Sequence, residues 1–255
     1  MSDSQPGTVL ITGAAKRVGR AIAEDMAARG FHVAVHYGGS EQEARDLVGA
    51  IGAKGGTAAA FQADLADAGA LAGLASAAAA KLGPLTCLIN NASAFEDDTL
   101  ESLDEESWAR HLDTNLKAPA FLAQAFAAQL PDGAQGNIIN IIDQRVWRLT
   151  PRFFSYTLSK AGLWTMTQTL AQALAPRIRV NGIGPGPTLK NARQEDADFA
   201  RQQEALLLRR GPDLGEITAA IRFILESPSL TGQMIALDGG QHLAWETPDV
   251  VGIPE

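Results

Sequence analysis

Tyr156 and Lys160 are the side chains of this sequence whose types and spacing best suit acid–base chemistry. They stand four residues apart at the start of a long helical pattern, so they lie on one face of the helix. Because a free tyrosine has a pKa of about 10, it donates a proton slowly at neutral pH unless a nearby cation favours the phenolate. Lys160 is placed to be that cation. The pair therefore indicates a proton-donating tyrosine, although two exposed side chains on a surface helix would show the same spacing.

Two further polar side chains stand where a site is expected. Asp143 follows the apolar run 136–142, which is typical of a buried strand. The carboxyl end of a parallel strand faces the crevice where open α/β sheets bind ligands. Asn115 lies inside the helical pattern 108–130, where asparagine is unfavourable unless its side chain has a partner. Both residues are therefore candidates for the site of Tyr156.

A strand, a tight turn and a helix are indicated at the beginning of the chain. The β-branched run 8–11 precedes the turn 12–19, which contains Gly13 and Gly19, and a helical pattern then continues through Ala27. Glycines in such a turn let the backbone approach a pyrophosphate, whose charge is met by free N–H groups and the helix dipole. An ordinary strand-to-helix connection would look the same, so this interpretation depends on the rest of the chain.

The end of the second strand, 31–36, bears on the choice of cofactor. It leads into Tyr37-Gly38-Gly39-Ser40, where an NAD-binding protein would place an Asp or Glu against the ribose hydroxyls. A 2′-phosphate would be repelled by such a carboxylate and favoured by Arg17, by the Ser40 hydroxyl and by free backbone N–H groups. The sequence therefore predicts NADP(H) as the cofactor.

The remaining pattern alternates helices with strands. Strands are predicted at 57–62, 86–89, 177–183 and 233–237, with helices at 41–51, 154–175 and 214–226 and an alanine-rich helix that ends near Ala80. This alternation predicts an α/β fold, a single domain over 1–255 with a sheet of about seven strands. The irregular, charged segment 188–213 is expected to be a substrate loop over the crevice.

Composition excludes several classes of function. The net charge is −8 and no basic patch is evident, which argues against nucleic acid or a membrane surface as the partner and favours a small-molecule substrate. No signal peptide or membrane span is indicated, so a cytoplasmic location is expected. The single cysteine, Cys87, lies in an apolar run, and the four histidines lack metal-ligand spacing. No metal site is therefore expected.

Taken in order, these motifs resemble the short-chain dehydrogenase/reductase family from Thr8 to about Gly240. They are the glycine turn, the run Asn90-Asn91-Ala92, Asn115, the Tyr156/Lys160 pair and Pro185-Gly186. The resemblance implies a Rossmann-type, doubly wound parallel sheet with helices on both faces, and a homotetramer. It also implies that Tyr156 donates the proton, that Lys160 lowers its pKa and holds the nicotinamide ribose, and that Asn115 supports a water chain to the lysine.

The same resemblance implies the lining of the cofactor groove. The expected cofactor-binding residues are Gly13, Arg17, Val18, Gly19, His36, Tyr37, Ser40, Asp64, Leu65, Asn91, Ala92, Ser93, Tyr156, Lys160, Pro185 and Gly186.

One position departs from the family. The family usually carries a serine about 13 residues before the tyrosine to hold a substrate carbonyl, whereas this chain has Asp143 at that position. Because an anion repels a carbonyl oxygen, ordinary ketone reduction is disfavoured. Aspartate at this position resembles the pteridine reductases, and Lys16-Arg17, the segment from His36 to Ser40, and Phe95 agree. That resemblance implies a pterin site formed by Arg17, Ser93, Phe95, Asp143 and Tyr156.

These features predict an NADPH-dependent reductase of a pterin-like substrate. The pterin would present ring N–H donors to Asp143 and a flat face to Phe95, with Asp143, Tyr156, Lys160 and Asn115 as the catalytic residues. Two alternatives remain open. The first is a carbonyl reductase of the 3-oxoacyl-carrier-protein type in which a protonated Asp143 replaces the serine, and the second is a non-catalytic NADP(H)-binding sensor.

Overall fold

The fold is built on one sheet of seven parallel strands. The structure is a computed structural model that describes residues 7–191 and 193–252. The strands are β1 (Thr8–Ile11), β2 (His32–Tyr37), β3 (Ala58–Gln62), β4 (Leu85–Asn90), β5 (Gly136–Ile141), β6 (Ile178–Pro185) and β7 (Met234–Leu237). Their order in the sheet is β3-β2-β1-β4-β5-β6-β7, and every neighbouring pair is parallel. The predicted Rossmann-type fold is confirmed.

Helices cover both faces of this sheet. They are α1 (Arg17–Ala28), α2 (Glu41–Ala53), α3 (Ala68–Leu82), α4 (Glu105–Leu112), α5 (Ala118–Gln129), α6 (Phe154–Leu174), α7 (Asp196–Glu204) and α8 (Leu214–Glu226). Apolar side chains of α1, α2 and α8 pack in one core cluster, and those of α3, α5 and α6 pack in another. Along β1, Val9 and Ile11 belong to the first cluster and Leu10 to the second, as expected where a strand is buried on both faces.

The strand order places a crevice at the middle of the sheet. The chain winds from β1 to β2 and β3 in one direction and then returns to add β4 on the other side of β1. Ligands of open α/β sheets bind outside the carboxyl ends of the strands at such a reversal. The glycine turn after β1 and the segment after β4 therefore flank the expected binding crevice.

Three predicted elements differ in the structure. The helix predicted at 108–130 begins at Glu105, because Asp104 caps it by accepting from the N–H of Ser107, and a π-helical turn at Asp113–Lys117 separates α4 from α5. The predicted irregular segment 188–213 contains α7, whose first turn is closed by a reciprocal capping box between Glu195 and Asp198. The strand predicted to end at residue 183 continues to Pro185. Among the described helices, none is long and apolar enough to cross a membrane.

Candidate active site

The glycine turn brings the backbone of β1 against the segment after β4. Gly13 has a φ of +61°, and a Cβ there would lie 3.0 Å from the Cα of Ala92. A Cβ on Gly19 would lie 2.2 Å from the carbonyl oxygen of Gly13. The hydroxyl of Thr12 accepts from the N–H groups of Asn91 and Ala92, both at 3.0 Å. The turn is therefore a fixed backbone cradle that side chains would obstruct.

A cavity of about 710 Å³ opens above this cradle. The first turn of α1 faces it, and no side chain of the described residues caps that turn. Uncapped N–H groups at the positive end of a helix dipole form a ready site for a phosphate group. The expected cofactor residues that line the cavity are Gly13, Arg17, Val18, Gly19, Asp64, Leu65, Asn91, Ala92 and Ser93. Lys16, Gly38, Gln62, Ala63 and Thr114 line it too, and none of these was among the expected cofactor-binding residues.

Three residues expected to bind the cofactor, His36 and Tyr37 at the end of β2 and Ser40 after it, do not line this cavity. His36 is buried behind the glycine turn, where its Nδ1 accepts from the N–H of Gly13 at 3.0 Å and its Nε2 lies 3.2 Å from the carbonyl of Ala63. Burial lowers the pKa of His36, so the neutral ring supports the turn from behind. Tyr37 ends β2, and Ser40 precedes α2 without capping it by its side chain. Neither lines the cavity in this structure.

The two cations of the turn point in opposite directions. The Nζ of Lys16 lies 2.5 Å from the carboxylate of Glu43 in the first turn of α2, close to the end of β2. Arg17, with a φ of +54°, instead donates to the carbonyl oxygens of Leu189 at 3.2 Å and Lys190 at 3.0 Å. Lys16 therefore lies beside the start of α2, and Arg17 connects the turn to the segment 188–213.

Tyr156 is bonded to the aspartate of the site. Its hydroxyl donates to Oδ2 of Asp143 at 2.8 Å, and Oδ1 of Asp143 accepts from the N–H of Arg145 at 2.8 Å. Burial, and after it the charge of Asp143, raise the pKa of Tyr156 well above its usual value. The net shift is opposite in direction to the one expected from Lys160, because burial and the charge of Asp143 dominate it. In the structure Tyr156 is held as the protonated acid.

Lys160 lies below Tyr156 in the same helix. Its side chain is buried, its Nζ donates to the carbonyl oxygen of Ile141 at 2.8 Å, and it lies 5.8 Å from the centre of the Tyr156 ring. Burial lowers the pKa of Lys160 to about 8, while the charge of Asp143 opposes the shift. The ammonium group therefore remains mostly charged at neutral pH and is held at the carboxyl end of β5.

Asn115 occupies the π-helical turn between α4 and α5. Its Oδ1 accepts from the N–H of Ala94 at 2.8 Å, and its Nδ2 donates to the carbonyl of Ala94 at 2.9 Å and to Oγ of Ser159 at 3.0 Å. Single π turns inside helices are frequent at functional sites. Asn115 thus joins the segment after β4 to the helix of Tyr156.

Phe95 forms part of a stacked group that the sequence did not reveal. Its ring stacks on Phe153 with centres 4.6 Å apart, and it meets the edge of Tyr156 at 4.7 Å. The guanidinium of Arg193 lies over Phe95 at 5.2 Å and that of Arg145 over Phe153 at 4.8 Å. The flat face predicted for a pterin is therefore covered in this structure, and a ring can stack on Phe95 only after Arg193 moves.

These residues surround a second cavity of about 500 Å³. Pro185 and Gly186 line it together with Phe95 and Asp143, while Arg17 and Val18 line both cavities. Ser93 is exposed between them, and its hydroxyl donates to the carbonyl of Ala94 at 3.1 Å. Of the predicted substrate residues, Arg17, Phe95 and Asp143 share the second cavity, and Ser93 lines only the first. Tyr156 contacts Asp143 and Phe95 but lines neither cavity. No group of three His, Cys, Asp or Glu side chains in the described part of the chain is arranged to hold a metal ion.

A buried polar chain fixes the helix start that carries Tyr156. Asp98 accepts from the N–H of Ser155 at 3.2 Å and from the Ser155 hydroxyl, while its backbone carbonyl accepts from the N–H of Phe154 at 3.1 Å. Nδ1 of His111 donates to the Ser155 hydroxyl at 2.7 Å, and Nε2 accepts from the N–H of Glu96 at 3.0 Å. Asp98 therefore caps α6 from 57 residues away in sequence, which no local pattern indicated.

Replacing Asp98 with asparagine tests this cap. We expect the free energy of unfolding to fall by about 1.5–3 kcal/mol, the range for hydrogen bonds to a charged group, and turnover to fall about tenfold because Tyr156 is displaced. Urea unfolding and steady-state turnover measure the two effects. Asp67→Asn is the matched control, because Asp67 caps α3 at the surface and asparagine caps equally well. Unchanged stability and turnover in Asp98→Asn would contradict the prediction.

Comparison with known proteins agrees with this geometry. The family model of the short chain dehydrogenases matches residues 7–200. The 3-oxoacyl-[acyl-carrier-protein] reductase FabG of Staphylococcus aureus (strain N315) is 32% identical over 242 residues, which cover 92% of this chain and 98% of that protein.

Solved structures give the same result. FolM alternative dihydrofolate reductase 1 from Brucella suis, in complex with NADP, is 51% identical with a TM-score of 0.94, covering 97% of this chain and 99% of that one. A blue fluorescent protein from a metagenomic library, in complex with NADPH, is 31% identical with a TM-score of 0.86, covering 94% of this chain and 99% of that one. The chain therefore belongs to the short-chain dehydrogenase family.

Proposed function

We propose that this protein is an NADP-dependent oxidoreductase that reduces a pterin-like substrate, such as a dihydropteridine, dihydromonapterin or dihydrofolate. The hydrogen bond of 2.8 Å between Tyr156 and Asp143 carries the proposal. It places a carboxylate, an acceptor for ring N–H donors, beside the proton donor, where a carbonyl-reducing site needs a hydroxyl. Support comes from the 51% identity to FolM alternative dihydrofolate reductase 1 from Brucella suis, solved with NADP.

The cofactor cavity fits a dinucleotide. The uncapped start of α1 suits a pyrophosphate, and the Gly13 and Gly19 cradle admits its close approach. Lys16 takes the role that the sequence assigned to Arg17, since it lies beside the first turn of α2 where a 2′-phosphate would be held. Asp64 and Leu65 line the same cavity and would border the adenine. When bound, NADPH supplies the hydride.

The chain's own residues then supply binding and proton transfer. Asp143 orients the substrate ring through its N–H groups, and Tyr156 donates a proton to the atom beside the reduced carbon. The ammonium of Lys160 stabilises the phenolate that remains, because an opposite charge favours the ionised form. Asn115 joins Ala94 to Ser159, the residue before the lysine, and supports a water chain to Lys160. The segment 188–213 covers the crevice as a substrate loop within a single domain.

Carbonyl reduction is the second candidate. The 32% identity to FabG of Staphylococcus aureus favours it, and a protonated Asp143 would donate to a carbonyl oxygen as serine does. A third possibility, a non-catalytic NADP(H)-binding sensor, is disfavoured by the buried Tyr156 and Lys160. Oxidation of NADPH with dihydropterins, dihydrofolate and ketones on one preparation decides between them. Reduction of pterins without reduction of ketones supports the proposal, and reduction of ketones alone overturns it. If no substrate is reduced, the non-catalytic NADP(H)-binding sensor is favoured.

The phosphate pocket gives a prediction of its own. Lys16→Ala should raise the Kd for NADPH about 10- to 100-fold, from the loss of a charge-assisted hydrogen bond, and leave the Kd for NADH within about twofold. Glu43→Gln should tighten NADPH binding, because it releases Lys16 from its ion pair. Fluorescence titration measures each Kd, with Lys54→Ala at the other end of α2 as the control. Equal losses for the two cofactors would contradict this assignment.

We further propose a homotetramer in the cytoplasm. Phe121 on α5 and Leu158 on α6 are each 42% exposed, which is consistent with faces that pack against another subunit. The only cysteine, Cys87, is buried and unpaired, as suits a reducing compartment. Light scattering at several protein concentrations tests the assembly, and a monomeric mass throughout would overturn it.

A further inference from the structure

Two arginines flank the aromatic stack at the outer part of the second cavity. The guanidinium of Arg193 lies over Phe95 and that of Arg145 over Phe153, and both line the cavity that Asp143 borders. Arg193 belongs to the segment 188–213, whereas Arg145 belongs to the short helical turn after β5. Two separate parts of the chain thus deliver positive charge to one place beside the proposed ring site.

Neither charge is neutralised within the described residues. The side chain of Arg193 donates only to the carbonyl oxygen of Phe95, at 3.0 Å, and forms no ion pair there. The side chain of Arg145 has no hydrogen-bond partner among the described residues, and its Nε is buried and unpaired. By contrast, Arg152, over the same Phe153 ring, is paired with Asp97. An unpaired buried donor such as this Nε is costly, so an acceptor supplied by a ligand would stabilise the half-buried Arg145 side chain.

The surrounding acids do not supply that anion. Among the described residues, two carboxylates line the cavity: Asp97 is paired with Arg152, and Asp143 accepts from the Tyr156 hydroxyl and from the backbone N–H of Arg145. The chain as a whole carries a net charge of −8, so this local group of positive side chains has the opposite sign to the protein's net charge. The planar guanidinium matches carboxylate and phosphate groups, which it binds through two N–H donors at once.

We propose that Arg145 and Arg193 form an anion subsite that binds a carboxylate or phosphate on the side chain of the substrate ring. This inference rests on the proposed function, which it makes more specific. The ring displaces Arg193 from the face of Phe95, and the freed guanidinium follows the side chain toward the mouth of the cavity. The subsite distinguishes pterins with an anionic side chain from those with a neutral one.

Kinetics with three substrates test the subsite. The substrates are dihydrofolate, with two carboxylates, dihydroneopterin phosphate, and dihydrobiopterin, whose side chain is neutral. In Arg145→Gln and Arg193→Gln, the KM for the anionic substrate should rise about 10-fold or more, while the KM for dihydrobiopterin stays within about twofold. Arg148→Gln is the matched control, because Arg148 is exposed and donates only to the carbonyl of Gln241. The anionic substrate whose KM rises in the arginine variants identifies whether the subsite binds a carboxylate or a phosphate.

A binding measurement separates this inference from the proposed function. By calorimetry, p-aminobenzoylglutamate, which carries the carboxylates without the pterin ring, should bind the wild type in the presence of NADP and lose binding in Arg145→Gln. If no pterin is reduced but this binding persists, the proposed function fails and the anion subsite stands. Inorganic phosphate is titrated in the same way. The subsite is overturned if the arginine variants raise the KM for neutral and anionic pterins equally, or if neither p-aminobenzoylglutamate nor inorganic phosphate binds the wild type.

Discussion

Replacing Tyr156 with phenylalanine is expected to lower turnover by about 10²–10⁴-fold, the range attributed to general acid catalysis. The change removes the hydroxyl that donates to Asp143 and leaves the ring packed against Phe95 and His111. Because the cofactor cavity is formed mainly by the glycine turn and the segment after β4, the Kd for NADPH should change little. Single-turnover rates and fluorescence titration of NADPH measure the two quantities on one preparation.

The alternative source of the proton is Asp143. In the structure Asp143 accepts from the Tyr156 hydroxyl, so a water molecule in the space left by the hydroxyl would donate the same hydrogen bond to the carboxylate. A Tyr156→Phe variant that keeps more than about a tenth of wild-type turnover would show that this route suffices, and the role assigned to Tyr156 would be wrong. A large rise in the Kd for NADPH would instead show that the ring is needed to form the cofactor site.

Replacing Asp143 with serine should reverse the preference for substrates. Sites built to pair a substrate N–H lose strongly when the acceptor is removed. We expect pterin turnover to fall about 100-fold, from a charge-assisted hydrogen bond worth about 1.5–3 kcal/mol and the loss of any proton relay through the carboxylate. Ketone reduction should hold or rise, because serine donates to a carbonyl oxygen. The kcat/KM for a dihydropterin and for a ketone report the change.

Asp143→Asn separates charge from shape. The amide keeps the size of the carboxylate and one acceptor oxygen but removes the charge that raises the pKa of Tyr156. Pterin turnover should fall in this variant also, whereas the serine variant alone should gain ketone activity. A serine variant that loses ketone and pterin activity in parallel would favour a protonated Asp143 that replaces serine, and with it the carbonyl-reductase alternative.

Local sequence was sufficient to predict the glycine cradle and the helix face that carries Tyr156 and Lys160. The run of apolar residues, glycine turn and helix at the start of the chain predicts the cradle, because only glycine has room at Gly13 and Gly19. The spacing of Tyr156 and Lys160 predicts one helix face, because the helical period is fixed by backbone geometry. These features are local, so they could be predicted without knowing what packs against them.

The tertiary structure alone decided the environment of those residues. Phe153 and Arg193 contact the ring of Phe95, and Arg145 lies over Phe153. Asp98 reaches the start of α6 across 57 residues of sequence. The direction of the pKa shift of Tyr156 depends mainly on burial and on the position of Asp143, which the spacing of Tyr156 and Lys160 does not reveal. A motif fixes which side chains share a helix face, but the solvent and charges that each one meets depend on how the elements pack.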